Sequence, residues 1–181
     1  MSRTFGPIRQ LGYIVEDIGA AMQHWSSALG VGPWFHFKKI VALDSIYRGA
    51  PQPLEMTIAL SNSGPLQIEL MTQLNDAPGA LRDHVAKHGY GLHHIAYWVD
   101  AFDARMAEWT GAGYEIWQTG AIGSRDNRFA YLSHPRHPAW GDHAGTVVEI
   151  SEVSGVKGKL FQMIADTAAS WDGSNPVRSM G

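Results

Sequence analysis

Two stretches of the chain repeat the same order of hydrophobic and polar positions. The first reads QLGYIVEDIGAAMQHWSSA from Gln10, and the second reads HIAYWVDAFDARMAEWTGA from His94. Each begins with the alternation of a half-buried strand and passes through acidic residues into apolar positions at helical spacing. The apolar helical faces are Ile18, Ala21, Met22 and Trp25 in the first copy and Phe102, Met106 and Trp109 in the second. The repeat predicts an internal duplication, each half opening with a strand and a helix.

Three further strands are predicted after each helix. They are Trp34 to Leu43, Glu55 to Leu60 and Leu66 to Thr72 in the first half, and Tyr114 to Thr119, Arg128 to Ser133 and Thr146 to Ile150 in the second. This order indicates an α+β protein with two tandem βαβββ modules that form one curved mixed sheet around a cleft. The expected boundaries are 1–74 and 91–153 for the modules, 75–90 for a linker helix, and 154–181 for a C-terminal helix (from about Val156 to Ser170) and a loose tail.

Composition narrows the class of protein. The chain has 181 residues, of which 45% are hydrophobic and 17% charged, enough for a substantial core. A net charge of -3 without a basic run argues against a nucleic-acid partner. The absence of cysteine excludes disulfides and thiolate metal sites. With no apolar stretch of membrane-spanning length and no apolar signal core, a cytoplasmic protein that acts on a small molecule is expected.

The repeat also bears on the adjacent histidines of GLHHIAYWV. It equates Gln10 with His94, and duplicated modules commonly pair about a pseudo-two-fold axis, so these two positions should meet. Because neighbouring residues of a strand point to opposite faces, His93 is expected to point away from His94, toward a helical layer or solvent. A histidine packed in this way needs no functional role.

Two glutamates lie inside apolar strands, Glu69 in LQIELMT and Glu149 in TVVEISE. An edge-strand residue that faces water gives the same pattern, but both glutamates fall in the last strand of their module. A buried carboxylate is costly unless it is paired or binds a metal. Together with Gln10 and His94, the two glutamates supply three oxygen donors and one nitrogen. This set predicts a site for one divalent metal ion with open coordination positions.

The stretches IRQLGYIVEDIGAAMQHW, GVGPW, LQIELM, GLHHIAYWVD and TVVEIS resemble the vicinal oxygen chelate superfamily, which includes glyoxalase I, methylmalonyl-CoA epimerase, extradiol dioxygenases and bleomycin-resistance proteins. The resemblance implies that Gln10, Glu69, His94 and Glu149 bind the metal, in the order used by one type of glyoxalase I. It further implies that Glu149 or Glu69 is the catalytic base of an isomerase, epimerase or lyase with an enolate intermediate. Zinc, nickel, cobalt and manganese suit these ligands better than iron, and the resemblance favours a homodimer.

Two other functions stay open. An extradiol-type dioxygenase would need a histidine where this chain has Gln10, and a metal-free antibiotic-sequestering protein would leave the buried glutamates unexplained. Acyl-CoA epimerases of the family carry a further glutamate after the third strand, whereas here Gln52 lies near that place and the acids are Asp44 and Glu55. This departure weakens the epimerase interpretation.

The residues expected to contact substrate are mostly aromatic. Trp98 shares the predicted face of His94, and Trp34, Phe37 and Met71 are candidates for an apolar wall, although aromatics at such spacing also build ordinary cores. Glyoxalase I binds the carboxylates of glutathione with arginines, so the resemblance implies such a role for Arg128, with Arg9, Arg48 and Arg125 as the other candidates, although any one of them also fits an ordinary surface arginine. The segment SHPRHPAWGDH places His134, His137 and His143 in a loop before the last strand, where a contact with substrate is the modest expectation.

Overall fold

The computed structural model describes residues 5–134 and 147–180. These residues form four helices, α1 (Ile18–Leu29), α2 (Ala80–His88), α3 (Phe102–Gly111) and α4 (Gly155–Ala169). They also form eleven strands: β1 (Gln10–Ile14), β2 (Trp34–Val41), β3 (Leu43–Tyr47), β4 (Ala50–Pro51), β5 (Glu55–Ser63), β6 (Leu66–Gln73), β7 (Gly91–Val99), β8 (Glu115–Ala121), β9 (Arg128–Ser133), β10 (Val147–Glu152) and β11 (Val177–Met180).

All eleven strands belong to one curved, open, mixed sheet. Their order is β11-β2-β5-β6-β1-β7-β10-β9-β8-β3-β4. The antiparallel pair β1–β7 lies at the centre, with β6 parallel to β1 on one side and β10 parallel to β7 on the other. The duplicated strands therefore repeat in mirror order outward from the centre, which confirms the predicted α+β fold and mixed sheet.

The two faces of the sheet pack against different helices. On the face that carries Ile14, which we call the cavity face, a buried cluster includes Leu81 of α2 and Phe161 of α4. On the outer face, α1 contributes Met22 to one cluster and α3 contributes Trp109 to another. The apolar faces predicted for the two repeated helices are thus the faces that cover the sheet.

Local signals account for the ends of α1. Asp17 caps its N-terminus, accepting a hydrogen bond from the backbone N–H of Ala20 at 2.9 Å. Gly30 ends the helix with a φ of 66°, a left-handed conformation that glycine adopts without strain. The linker helix and the C-terminal helix also form, within a few residues of the predicted bounds.

Two parts of the sheet differ from the sequence predictions. The hairpin β3–β4 was not predicted; it leaves the first module and pairs with β8 of the second. The tail was expected to be loose, and that expectation is wrong: β11 pairs in parallel with β2 from Val177 to Met180. Both additions cover edges of the duplicated sheet, where unpaired backbone groups favour the docking of any available strand.

Candidate metal centre

The register of the central strands places the repeated positions symmetrically. In the antiparallel pair β1–β7, Gln10 lies opposite Ala96, and Gly12 lies opposite His94. Because the repeat equates Gln10 with His94 and Gly12 with Ala96, each pairing is the image of the other about a two-fold axis. The approach of the two repeated positions, predicted from the sequence, is therefore confirmed by the strand register.

The parallel partners extend this symmetry to the glutamates. Glu69 of β6 lies beside Gly12, and Glu149 of β10 lies beside Ala96. Each glutamate is thus flanked by a small residue of the central strands, and both carboxylates lean toward the sheet centre. Their burial, with 8% of Glu69 and 6% of Glu149 exposed, excludes the alternative of edge-strand glutamates facing water.

The three ionisable side chains converge at a buried point. His94 Nε2 lies 3.0 Å from Glu149 Oε2 and 3.5 Å from Glu69 Oε2. One potential ligand atom from each residue lies within 4.8 Å of those of the other two, and all three residues are buried. Glu69, His94 and Glu149 therefore form a buried cluster of potential metal ligands.

Gly12 is required for this arrangement. A Cβ at position 12 would lie 2.0 Å from Cε1 and 2.3 Å from Nε2 of His94. The imidazole ring thus occupies the space that any larger residue at position 12 would fill. At the symmetry-related position the chain has Ala96, which lies opposite Gln10.

The three groups have shifted pKa values. Burial, only partly offset by the charge of His94, raises the pKa of Glu69 to about 7. Burial also acts to raise the pKa of Glu149, but the charge and close approach of His94, the charge of Lys157 and the Ser151 hydroxyl together outweigh it, and the pKa lies below its ordinary value. Burial acts to lower the pKa of His94, but the charges of Glu149 and Glu69 outweigh it and the pKa is raised. The two carboxylates therefore differ in proton affinity although they occupy equivalent positions.

The donor set fits a divalent metal ion. Nε2 of His94 is buried and has no hydrogen-bond partner of acceptable geometry among the described side chains, although Glu149 Oε2 lies 3.0 Å away. A buried imidazole nitrogen between two carboxylates is the arrangement that a metal ion completes. Gln10 lines the same cavity, and its amide Nε2 donates to Gln67 Oε1 at 2.8 Å. Gln10 is therefore held by an interaction that does not use its carbonyl oxygen.

His93 does not point away from His94, so that part of the expectation is wrong, but it packs against a helix as expected, its ring lying 4.9 Å from that of His84 of α2. The register between β1 and β7 shifts after Gly12, because His93 is an extra residue in β7, a β-bulge. Its Nδ1 lies 3.1 Å from Nδ1 of His94, and its ring contacts Tyr131 on the cavity face at 5.0 Å between centroids. Burial, together with the charge of His94, holds the pKa of His93 well below its ordinary value.

The contact between the two histidines is compatible with a metal-binding role for His94. A neutral His93 accepts through Nδ1 the hydrogen bond that Nδ1–H of His94 donates. In the metal-free protein the raised pKa of His94 favours a proton on Nε2 as well, facing Glu149 at 3.0 Å. A metal ion that displaced this proton would meet a lone pair directed toward Glu69 and Glu149. Histidines that bind metals generally donate their other ring N–H to a neighbouring acceptor, and His93 takes that place here.

A cavity of about 390 Å³ opens beside the cluster. Gln10, Glu69 and Glu149 form its polar end, and its walls are mainly apolar, comprising Phe37, Ile40, Met56, Ile58, Leu60, Ile122, Phe129, Leu160 and Phe161 among others. The volume is that of a pocket for a small organic molecule.

Lys157, which sequence reasoning missed, also faces this cavity. It lies in the first turn of α4, and its Nζ donates to Ser151 Oγ of β10 at 2.8 Å. Burial lowers its pKa, against the opposing charges of Glu149 and Glu69. A lysine near the start of a C-terminal helix carries no signal by itself. Its role depends on α4 lying across the cavity face, which the sequence pattern did not reveal.

Of the residues expected to contact substrate, Phe37 lines the cavity. Trp98 shares the cavity face with His94 but packs against the ring of Phe161 at 4.9 Å between centroids. Met71 is fully buried in the core cluster of the same face. Neither Trp98 nor Met71 is among the residues that line the cavity.

Trp34 and Arg128 lie away from the cavity, which corrects the expectation for both. Trp34 is fully buried in the outer-face cluster beneath α1, because the alternation of β2 turns it away from Phe37. Arg128 points to the outer side for the same reason, and its guanidinium pairs with Glu152 at 2.7 Å and with Asp103 of α3 at 2.9 Å. Of the loop histidines, His134 lies 5.3 Å from the ring of Tyr114, whereas His137 and His143 lie outside the described residues.

None of the helices in the described part of the chain has the length and apolar character needed to cross a membrane.

Solved structures share this fold. A methylmalonyl-CoA epimerase from Mycobacterium tuberculosis is 17% identical over 88% of this chain and 96% of that chain, with a TM-score of 0.57. A hypothetical protein from Bacillus halodurans C-125 is 22% identical over 82% and 95%, with a TM-score of 0.54. A further methylmalonyl-CoA epimerase, studied as its selenomethionine form, is 19% identical over 86% and 100%, with a TM-score of 0.50.

At these identities the likeness shows the fold alone. No curated protein matches the chain. The family model described as Glyoxalase/Bleomycin resistance protein/Dioxygenase superfamily matches residues 9–131, which include both central strands, α1, α3 and two of the three clustered residues. The chain belongs to the Glyoxalase/Bleomycin resistance protein/Dioxygenase superfamily, the vicinal oxygen chelate superfamily that its motifs resemble.

Proposed function

We propose that this protein is a metal-dependent isomerase, epimerase or lyase that removes a proton from the carbon next to a carbonyl group. The observation that carries the proposal is the buried convergence of Glu69, His94 and Glu149, with Nε2 of His94 between two carboxylates. A structural role alone does not account for it, because two carboxylates buried together cost free energy that an apolar pair would not.

His94 Nε2, Glu149, Glu69 and the amide oxygen of Gln10 would hold the metal, with zinc, nickel, cobalt or manganese as the matching ions. When bound, such an ion would supply Lewis-acid chemistry that acidifies a C–H group next to a substrate carbonyl. The register supports the inclusion of Gln10, since it occupies the position that is symmetry-related to His94.

Glu69 is the base in this proposal. In the metal-free protein, burial raises the pKa of Glu69 to about 7, whereas the charge of His94 helps to hold the pKa of Glu149 below its ordinary value, so Glu69 is the carboxylate held less firmly in its charged form. Glu69 is also the carboxylate farther from His94 Nε2, at 3.5 Å against 3.0 Å. Glu149 therefore serves as a permanently charged ligand, and Glu69 exchanges the proton with the substrate.

The structural neighbours named as methylmalonyl-CoA epimerases support proton transfer as the reaction type. The substrate itself is left open by the missing acid after the third strand, where this chain forms the hairpin β3–β4 instead. The apolar walls of the cavity favour a substrate with an apolar body. A homodimer and a cytoplasmic location stay predictions, and light scattering of the purified protein tests the first of them.

Elemental analysis of protein purified without chelator or nickel resin tests the metal. About one divalent ion per chain is expected for the wild type, less for Glu149→Gln and His94→Ala, and a wild-type level for Glu115→Gln, an exposed residue of β8. Exchange of the C–H proton into heavy water, followed by NMR with methylmalonyl-CoA and with a 2-hydroxy ketone, tests the chemistry. Glu69→Gln should abolish exchange at saturating metal.

Two outcomes would replace the proposal. A protein that neither contains metal nor takes it up would be a binding protein of the antibiotic-sequestering kind. Iron in the site together with uptake of dioxygen would indicate the dioxygenase chemistry that is also present in the family.

A further inference from the structure

One cationic side chain that lines the cavity, that of Lys157, has no carboxylate partner among the described residues. Lys157 lines the cavity together with Glu69 and Glu149, and its Nζ donates one hydrogen bond, to Ser151 Oγ at 2.8 Å. The ring of Phe161 lies 5.6 Å from Nζ. Among the described residues, Lys157 forms no ion pair. An ammonium group has three donors, so two of them are left for a bound molecule.

The second lysine of the cavity differs in this respect. Lys39 also lines the cavity, but its Nζ pairs with Glu55 Oε2 at 2.8 Å, and 59% of its side chain is exposed to solvent. Its charge is therefore both paired and hydrated. Lys39 serves as a matched reference for Lys157, because both are lysines of the same cavity and only one has a carboxylate partner.

When a divalent ion is bound, no negative charge of the site is left to balance the positive charge of Lys157. A divalent ion held between Glu69 and Glu149 neutralises the two carboxylates, and the positive charge of Lys157 then faces an apolar cavity. Such a charge is costly unless an anion joins it. This step rests on the proposed function, because without a metal ion the two glutamates, His94 and Lys157 balance one another.

We propose that Lys157 and Ser151 form a subsite for a carboxylate, and that the substrate is a carbonyl compound with one negative charge and an apolar body. Ser151 follows Glu149 by two positions on the same face of β10, which is roughly 7 Å along a strand. The carboxylate of the substrate therefore lies a few bonds from the reacting carbon, and Ser151 positions the ammonium group that receives it. The apolar body contacts Ile40, Ile58, Phe129 and Phe161.

The test compares two probes that differ in charge alone, 3-phenylpropionate and 3-phenylpropionamide, by calorimetric titration into the full-length protein loaded with zinc. The wild type should bind the acid more tightly than the amide. Lys157→Met should weaken binding of the acid by about tenfold or more, as expected for the loss of a charge-assisted hydrogen bond, and leave the amide unchanged. Lys157→Arg should retain the preference for the acid, and Lys39→Met should bind both probes as the wild type does.

Zinc titration of each variant precedes the probes and separates the two proposals. Wild-type zinc stoichiometry in Lys157→Met shows that the centre is folded, and an unchanged affinity for the acid then overturns the subsite while the proposed function stands. An equal loss of affinity for the acid in Lys157→Arg and Lys157→Met also overturns the subsite, because the positive charge that arginine retains should suffice to bind a carboxylate. A wild-type protein that binds none of zinc, nickel, cobalt and manganese overturns the proposed function, and the charge balance behind the subsite falls with it.

Discussion

The raised pKa of Glu69 makes a quantitative prediction about the metal-free protein. A shift from 4.5 to about 7 means that burying the ionised form costs about 3 kcal/mol, at roughly 1.4 kcal/mol for each pKa unit. Because the pKa is raised in the folded state, the stability associated with Glu69 is fully present below pH 4.5. It is lost as the pH rises through 7.

Glu69→Gln removes the ionisation and keeps the size and a hydrogen-bonding end group. In the presence of a chelator, the variant and the wild type should be about equally stable near pH 4.5. At pH 8 the variant should be more stable by up to about 3 kcal/mol. His94 has a raised pKa and loses stability in the same direction as the pH rises, and the charge of Glu69 contributes to that shift, so the difference between the two curves reports on Glu69 together with its interaction with His94.

Urea unfolding followed by tryptophan fluorescence at several pH values measures this difference. Glu115→Gln is the control, because Glu115 is exposed and should give the same small difference at every pH. A variant that is less stable than the wild type at pH 8, or a difference that does not change with pH, would refute the reasoning that Glu69 is destabilised by burial. A saturating divalent metal should raise wild-type stability at pH 8.

Two further predictions concern the candidate metal centre, and a third concerns the edge of the sheet at β2. Gly12→Ala should abolish metal binding, measured by titration, because the added Cβ overlaps the imidazole ring, whereas Ala96→Gly at the symmetry-related position should bind metal normally. His93→Phe should lower metal affinity by about 10- to 100-fold, because the acceptor for the Nδ1–H of His94 is lost, and His93→Gln should lower it less. Equal metal affinity of the wild type and both variants would show that the contact between the two histidines is incidental. Truncation before Val177 should speed hydrogen exchange of β2 amides, and unchanged exchange would mean that β11 does not protect that edge.

The amino-acid sequence alone determined the duplicated architecture, and it predicted four residues of the candidate metal centre. Alternation and helical spacing sufficed for the repeated strand and helix of each half, because burial on one face imposes a period that the residues must follow. The repeat then equated Gln10 with His94 and Glu69 with Glu149. Each of these four residues lies in a predicted strand, and the order of strands is the same in both halves. A comparison of the two halves could therefore identify the four residues without knowledge of the register.

Only the tertiary structure decided the rest. The bulge that turns His93 beside His94 arises from the pairing of β1 with β7, and strict alternation cannot reveal it. The differing pKa values of the two equivalent glutamates depend on which one lies nearer His94, a distance set by packing. Lys157 reaches the cavity because α4 folds back across the sheet, and β11 forms because an edge of β2 is free. In each case the deciding contact joins residues far apart in the chain, whose encounter no local pattern encodes.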